Sequence, residues 1–200
     1  MELTHDFRQR TALLLGDERM ARLQNARVAV FGLGGVGGAC AEALCRAGVG
    51  RLTLVDNDTV SLSNINRQIV ALHSTVGQPK TAALRARLLD INPACDIEEK
   101  NLFFDQSTAD SIDFSAFDYV IDAIDTVSAK LLLVERARAA GTPILCCMGT
   151  GNKLDPTRFE ANNVLFNYPE FGDRLIIGKF CAIASGTQFI MGPANHRMSS

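Results

Sequence analysis

The chain has 200 residues, 47% of them hydrophobic, and sets 20 Lys and Arg against 22 Asp and Glu for a formal net charge of −2. That composition excludes an intrinsically disordered chain and gives no globally basic character of the kind that announces a nucleic-acid binder. No apolar run approaches the roughly 20 residues a membrane-spanning helix needs, and the opening Met1-Glu-Leu-Thr-His-Asp6 is too polar for a secretory leader, so a cytoplasmic protein without membrane contact is expected.

In chain order, residues 9–23 carry a helical pattern that would pack ahead of the first strand. Strand-like runs follow at 27–31, 51–55, 96–100, 118–122 and 143–147. Between them, residues 38–47, 80–91, 105–112 and 127–140 place apolar residues at helical spacing among good helix formers, and Gly48 and Gly141 stand where helices end. Strands alternating with helices argue for an α/β domain, a Rossmann-like, mostly parallel sheet with helices on both faces. The six cysteines, Cys40, Cys45, Cys95, Cys146, Cys147 and Cys181, form no Cys-x-x-Cys pair, so free thiols are expected rather than a structural zinc.

The first strand runs straight into Gly32-Leu-Gly34-Gly35-Val-Gly37-Gly38, a turn that opens a helix. Such a turn brings backbone N–H groups and the positive end of the helix onto phosphate. The second strand ends at Asp56, about 20 residues past the turn, where an acid accepts hydrogen bonds from ribose hydroxyls. To that point NAD fits as well as ATP. The polar segment that follows separates them: Asp58, Asn64, Asn66, Arg67 and Gln68 crowd together, and Lys80 opens the next helix. Hydride transfer has little use for these groups, whereas Arg and Lys beside a phosphate loop suit a triphosphate under attack at its α-phosphorus. Asp122 and Asp125 fall at the end of the fourth strand, the edge where ligands bind in open α/β sheets. Bland readings stand beside these: a solvated first helical turn for Lys80, a capping role for Asp122, an exposed loop for His73, and core packing for Cys146 and Cys147.

The Gly-Leu-Gly-Gly-Val-Gly turn, Asp56-Asn-Asp58, Ser63-Asn-Ile-Asn-Arg-Gln68 and Asp122-Ala-Ile-Asp125 together resemble the ThiF/MoeB/ubiquitin-activating-enzyme-like superfamily. His5-Asp-Phe-Arg-Gln-Arg10 and Met148-Gly-Thr-Gly-Asn-Lys-Leu-Asp-Pro-Thr-Arg-Phe159 are most similar to its tRNA threonylcarbamoyladenosine dehydratase branch, over about residues 1–160. The resemblance implies ATP-dependent adenylation of a carboxylate, used to cyclise N6-threonylcarbamoyladenosine at position 37 of tRNA. It implies that Gly32, Gly34, Gly35 and Gly37 cradle ATP, that Asp56 holds the ribose, and that Asn64 and Gln68 line the pocket beside Asp58. Arg67 and Lys80 would contact phosphates, and Asp125 would hold Mg²⁺. Arg8, with Arg10 a weaker candidate, would reach the ATP site of the other protomer of a homodimer. Relatives that adenylate a ubiquitin-like sulfur-carrier protein share the first step and remain an alternative.

Past Pro156 the helical periodicity vanishes, and Ile177, Ile183 and Phe189 recur every six residues, the period of a hexapeptide-repeat β-helix. Residues 161–200 resemble a fragment of xenobiotic (streptogramin or chloramphenicol) acetyltransferases, in which the histidine of Asn-His-Arg-Met, here His196, is the general base. Two domains are therefore expected: an adenylation domain at 1–160, truncated at its C-terminus, and a left-handed β-helix fragment at 161–200. An O-acetyltransferase module and an inactive nucleotide-binding remnant are the competing readings. The first suffers from too few coils to build a coenzyme site.

Overall fold

The structure is a computed structural model and describes residues 7–147. The expected β-helix fragment, His196 and the segment beginning at Met148 lie outside the described residues. No helix among the described residues is long and apolar enough to cross a membrane.

Helices α1 (Gln9–Leu15) and α2 (Asp17–Asn25) precede strand β1 (Arg27–Phe31). Then come α3 (Gly35–Ala47), β2 (Arg51–Val55), α4 (Lys80–Ile91), β3 (Asp96–Lys100), β4 (Tyr119–Asp122), α5 (Val127–Ala139) and β5 (Ile144–Cys146). The five strands form one parallel sheet in the order β3-β2-β1-β4-β5. The order reverses between β1 and β4, so the crevice at the carboxyl ends of these two strands is the switch point at which open α/β sheets bind ligands.

Alternation along the strands divides the core. Ala29, Phe31, Val55 and Val120 point to one face, where they join Phe104, Phe114, Ala129, Leu133 and Ala137. There the Phe31 ring stacks on Phe114 with centroids 5.8 Å apart and meets Phe104 edge-on at 5.1 Å. Val28, Val30, Leu52 and Leu54 point the other way and are buried, as are Ala41 and Cys45 of α3 and Leu84 and Leu88 of α4, helices that contact β1 and β2. Each of these large apolar side chains contributes about 1.5–3 kcal/mol by leaving water.

The expected strands are present to within a residue at each end. Both helix stops are present too: Gly48 (φ 98°) and Gly141 (φ 71°) close α3 and α5 in the left-handed conformation, with paired bonds from Val49 N–H to Leu44 O and from Thr142 N–H to Ala137 O.

Two helical expectations are corrected. The helix expected over 9–23 is broken at Gly16 (φ 79°), whose N–H ends α1 on Ala12 O while its carbonyl starts α2 by accepting from Met20 N–H. The helix expected over 105–112 is not an α-helix. The Asp105 carboxylate accepts from Ser107 N–H, Ser107 Oγ–H and Thr108 N–H, offering the backbone a turn in place of the helical ladder, and only a short 3-10 turn at Ala109–Ser111 remains. The Ser107 bonds also hold the Asp105 carboxyl below its ordinary range.

Candidate nucleotide-binding site

At the end of β1, Gly32 (φ 84°) turns the chain, its N–H donating to Val55 O at 2.9 Å. A Cβ at Gly32 would stand 2.7 Å from Ala123 O, and one at Gly37 would fall 1.7 Å from Gly32 O. Two backbone strands of the site thus pass where no side chain fits. Helix α3 opens at Gly35, and its N-cap residue, Gly34, has no side chain with which to cap the N–H groups of the first turn.

Asp56, at the end of β2, ties this turn to the sheet. One carboxylate oxygen accepts from Leu33 N–H at 2.7 Å and the other from Asp58 N–H at 2.8 Å. Lys80 lies beside it. Its Nζ is 2.6 Å from Asp58 Oδ2 and 3.8 Å from Asp56 Oδ1, and its side chain is only 7% exposed. The solvated-turn reading of Lys80 is therefore overturned: the first turn of α4 delivers a buried ammonium to the carboxylates. A one-residue antiparallel bridge, Thr59 with Pro79, and bonds joining Val60 to Gln78 and Gly77 hold α4's start against the end of β2.

The segment closed by that bridge carries the rest of the cluster. Asn64 accepts from Ser61 N–H and completes a reciprocal cap on the 3-10 turn Leu62–Asn64, so its amide builds the loop. Arg67 is exposed and donates through Nη1 to Ser63 O and Asn66 Oδ1, both at 2.9 Å, with its backbone lying over Gly35. Gln68 is buried, its amide nitrogen faces Gly34, and its Oε1 is a buried acceptor with no partner among the described residues. A buried unpaired acceptor is costly, so a donor belongs there.

On the other side of the switch point, Asp122 is fully buried at the end of β4 and accepts from Lys130 Nζ at 3.0 and 2.9 Å and from Ile124 N–H at 3.1 Å. Asp125 is exposed just before α5, touched by Thr126 Oγ–H at 3.4 Å. The single chain does not bring Arg8 to this cluster. Its side chain lies against Gly48, at the end of α3 remote from the glycine turn, with its guanidinium 5.5 Å from the centre of the Phe7 ring. Arg10 and His73 are exposed.

Sequence reasoning missed Lys130. Its signal was there: it shares a helical stripe with Leu133 and Ala137, both fully buried, and a lysine in such a stripe needs a buried anion. Cys45 and Cys95 are buried free thiols, as expected, bonded to Leu88 O and Val49 O.

This arrangement fits a nucleoside phosphate: a turn cleared of side chains, an uncapped helix start, an acid at the second strand and a buried ammonium. A family model, that of the ThiF family, matches residues 8–173. The chain belongs to the ThiF family. Within the curated proteins, it is 44% identical over 162 residues to the tRNA threonylcarbamoyladenosine dehydratase of Bacillus subtilis, covering 81% of this chain and 63% of that protein. Among solved structures, it is similar to Escherichia coli tRNA N6-threonylcarbamoyladenosine dehydratase, TcdA. The complex with AMP superposes with TM-score 0.73 at 37% identity, over 79% of this chain and 65% of the other. The complex with ATP gives TM-score 0.71 at 36% identity, over 79% and 66%. The chain thus spans less than two thirds of the length of these ThiF-family relatives.

Proposed function

We propose that this ThiF-family chain adenylates a carboxylate with ATP, and that the substrate is N6-threonylcarbamoyladenosine in tRNA. The observation that carries the reading is the buried Lys80 ammonium held between Asp56 and Asp58, beside a glycine turn that no side chain can enter. The dehydratase relatives and the AMP and ATP complexes of TcdA support it.

The substrate carboxylate attacks the α-phosphorus, the bond from that phosphorus to the β-phosphate oxygen breaks, and pyrophosphate leaves. An internal nucleophile of the substrate then closes on the acyl carbon and expels AMP. The net result is loss of water, with ATP consumed. The α3 N–H groups and Lys80 offset charge building on the phosphates, Asp56 has lone pairs left for the ribose, and Gln68 Oε1 accepts a donor from the nucleotide. Arg67 reaches the phosphates by exchanging its loop carbonyl for them. Asp125 would hold Mg²⁺, an ion that binds through one or two carboxylates plus phosphate oxygens and would supply positive charge beside the phosphates. In a homodimer Arg8, remote from the site of its own chain, would serve the partner's.

The test is a thermal unfolding scan with Mg·ATP, NAD⁺ and acetyl-CoA in turn, repeated on Asp125→Ala. A ligand at 100 times its Kd stabilises by about 2.7 kcal/mol, which raises the midpoint roughly 5–10 °C in a chain this size. A rise with Mg·ATP only, lost in Asp125→Ala while the midpoint without ligand holds, is expected. AMP release that depends on tRNA carrying the open modification then assigns the substrate, whereas release driven by a ubiquitin-like carrier protein would reassign it. A rise with NAD⁺ or acetyl-CoA alone would sink the proposal.

A further inference from the structure

We infer that Lys130 is a positioning residue for Asp125, acting through the buried carboxylate of Asp122. The inference rests on the adenylating reading of the site. Asp122 has no exposed surface, and its carboxylate makes three charge-assisted bonds: two to Lys130 Nζ, at 3.0 and 2.9 Å, and one from Ile124 N–H at 3.1 Å. The lysine comes from the first turn of α5 and the amide from the turn between β4 and α5, so one carboxylate fixes both flanks of Asp125.

That turn is pressed onto the glycine turn. Ala123 N–H donates to Phe31 O at 2.8 Å, and the Ala123 carbonyl and Ile124 nitrogen fill the space a Cβ at Gly32 would need. The metal carboxylate and the phosphate cradle are therefore built as one rigid unit, with the Asp122–Lys130 pair behind it. Packing alone does not call for such a pair. Apolar residues of similar volume generally serve a core as well or better, while a half-removed buried pair is costly. An ion pair at this strand end has a use that an apolar pair lacks, since its directional bonds orient the turn. It lies one shell behind the proposed metal, where the outer partners of metal ligands act.

The test compares the unaltered chain with Asp122→Asn/Lys130→Met, which removes both charges and keeps the shape, and with Lys130→Arg, which restores the cation. Amide hydrogen exchange at Ile124, the Mg²⁺ concentration for half-maximal ATP binding, and AMP affinity without Mg²⁺ are measured. In the double variant we expect exchange at Ile124 to be at least about ten-fold faster and the Mg²⁺ requirement to rise about ten-fold, the lower end for outer-shell partners. AMP affinity should stay within about two-fold, and Lys130→Arg should recover most of the Mg²⁺ effect. Should the double variant lose its cooperative transition, Asp122→Asn/Lys130→Gln, which removes both charges and leaves an amide pair in their place, is read the same way. An unchanged Mg²⁺ requirement, or ATP and AMP binding falling by one common factor, would overturn the inference and leave the pair structural. An unaltered chain that binds no Mg·ATP overturns the adenylating reading and this inference together, and that result is visible before any substitution is made.

Discussion

Gly37→Ala puts the glycine turn to its hardest test. The added methyl would sit 1.7 Å from Gly32 O, 2.9 Å from Gly32 C and 3.1 Å from Ala123 Cβ. An ordinary carbon–oxygen contact is about 3.3 Å, so α3 and the turn must part by about 1.6 Å. The obstacle is backbone, with no side chain able to swing aside, and overpacking of this kind costs about 3 kcal/mol. In a chain of this length that lowers the unfolding midpoint by roughly 6–12 °C. Because the start of α3 is what moves, ATP affinity should fall about 100-fold or more among molecules that remain folded. Gly34→Ala is the control. Gly34 has φ −73°, and its new methyl would meet only the Gln68 amide nitrogen, at 3.8 Å. Its stability should stay within about 1 kcal/mol of the unaltered chain. Thermal unfolding and titration calorimetry with ATP distinguish the two variants. If they melt and bind alike, the close approach inferred at Gly37 is wrong.

Lys80→Met leaves Asp56 with its two backbone donors and Asp58 with water, so the cost in stability should be modest, about 1–2 kcal/mol, while ATP affinity falls at least ten-fold. Calorimetry that found full affinity would remove Lys80 from the phosphates. Burial pushes the Cys95 thiol up to about 12 from an ordinary 9, and burial also raises Cys45. Between those values the unfolded chain has released the Cys95 proton and the folded chain still holds it, so stability falls as pH rises from 9 towards 12, by up to about 1.4 kcal/mol per pH unit. Cys95→Ala should flatten that alkaline slope in urea unfolding. An unchanged slope would refute the assignment.

The sheet was legible because β1, β2 and β4 are short apolar runs buried on both faces, and the glycine turn because only one residue type tolerates its close approaches. The same reading failed over 105–112, where apolar spacing suggests a helix but Asp105 and Thr108 satisfy the backbone locally. It was incomplete at Lys80 and Lys130. Lys80 was expected at the phosphates without its burial, and the stripe holding Lys130 calls for a buried anion without naming it, because the carboxylates lie 22 and 8 residues away and helical spacing within one element does not identify a partner in another. Asn64 and Gln68 illustrate the limit within a motif. Both were expected to line one pocket, and the structure adds that Asn64 Oδ1 also caps its own turn while the Gln68 oxygen has no partner among the described residues.

The clasp between Thr59 and Pro79 has a consequence for how this site can change. The part of the enclosed segment that does not pack on the glycine turn is a loop whose closure is already made, and lengthening a closed loop costs little, about 0.6 kcal/mol per doubling. The exposed stretch around Leu72 to Val76 can therefore drift in length and sequence without loosening β2 or α4, while the knot holding Asp56, Asp58 and Lys80 stays tied. Such a design lets a lineage alter what approaches the nucleotide without disturbing what grips it.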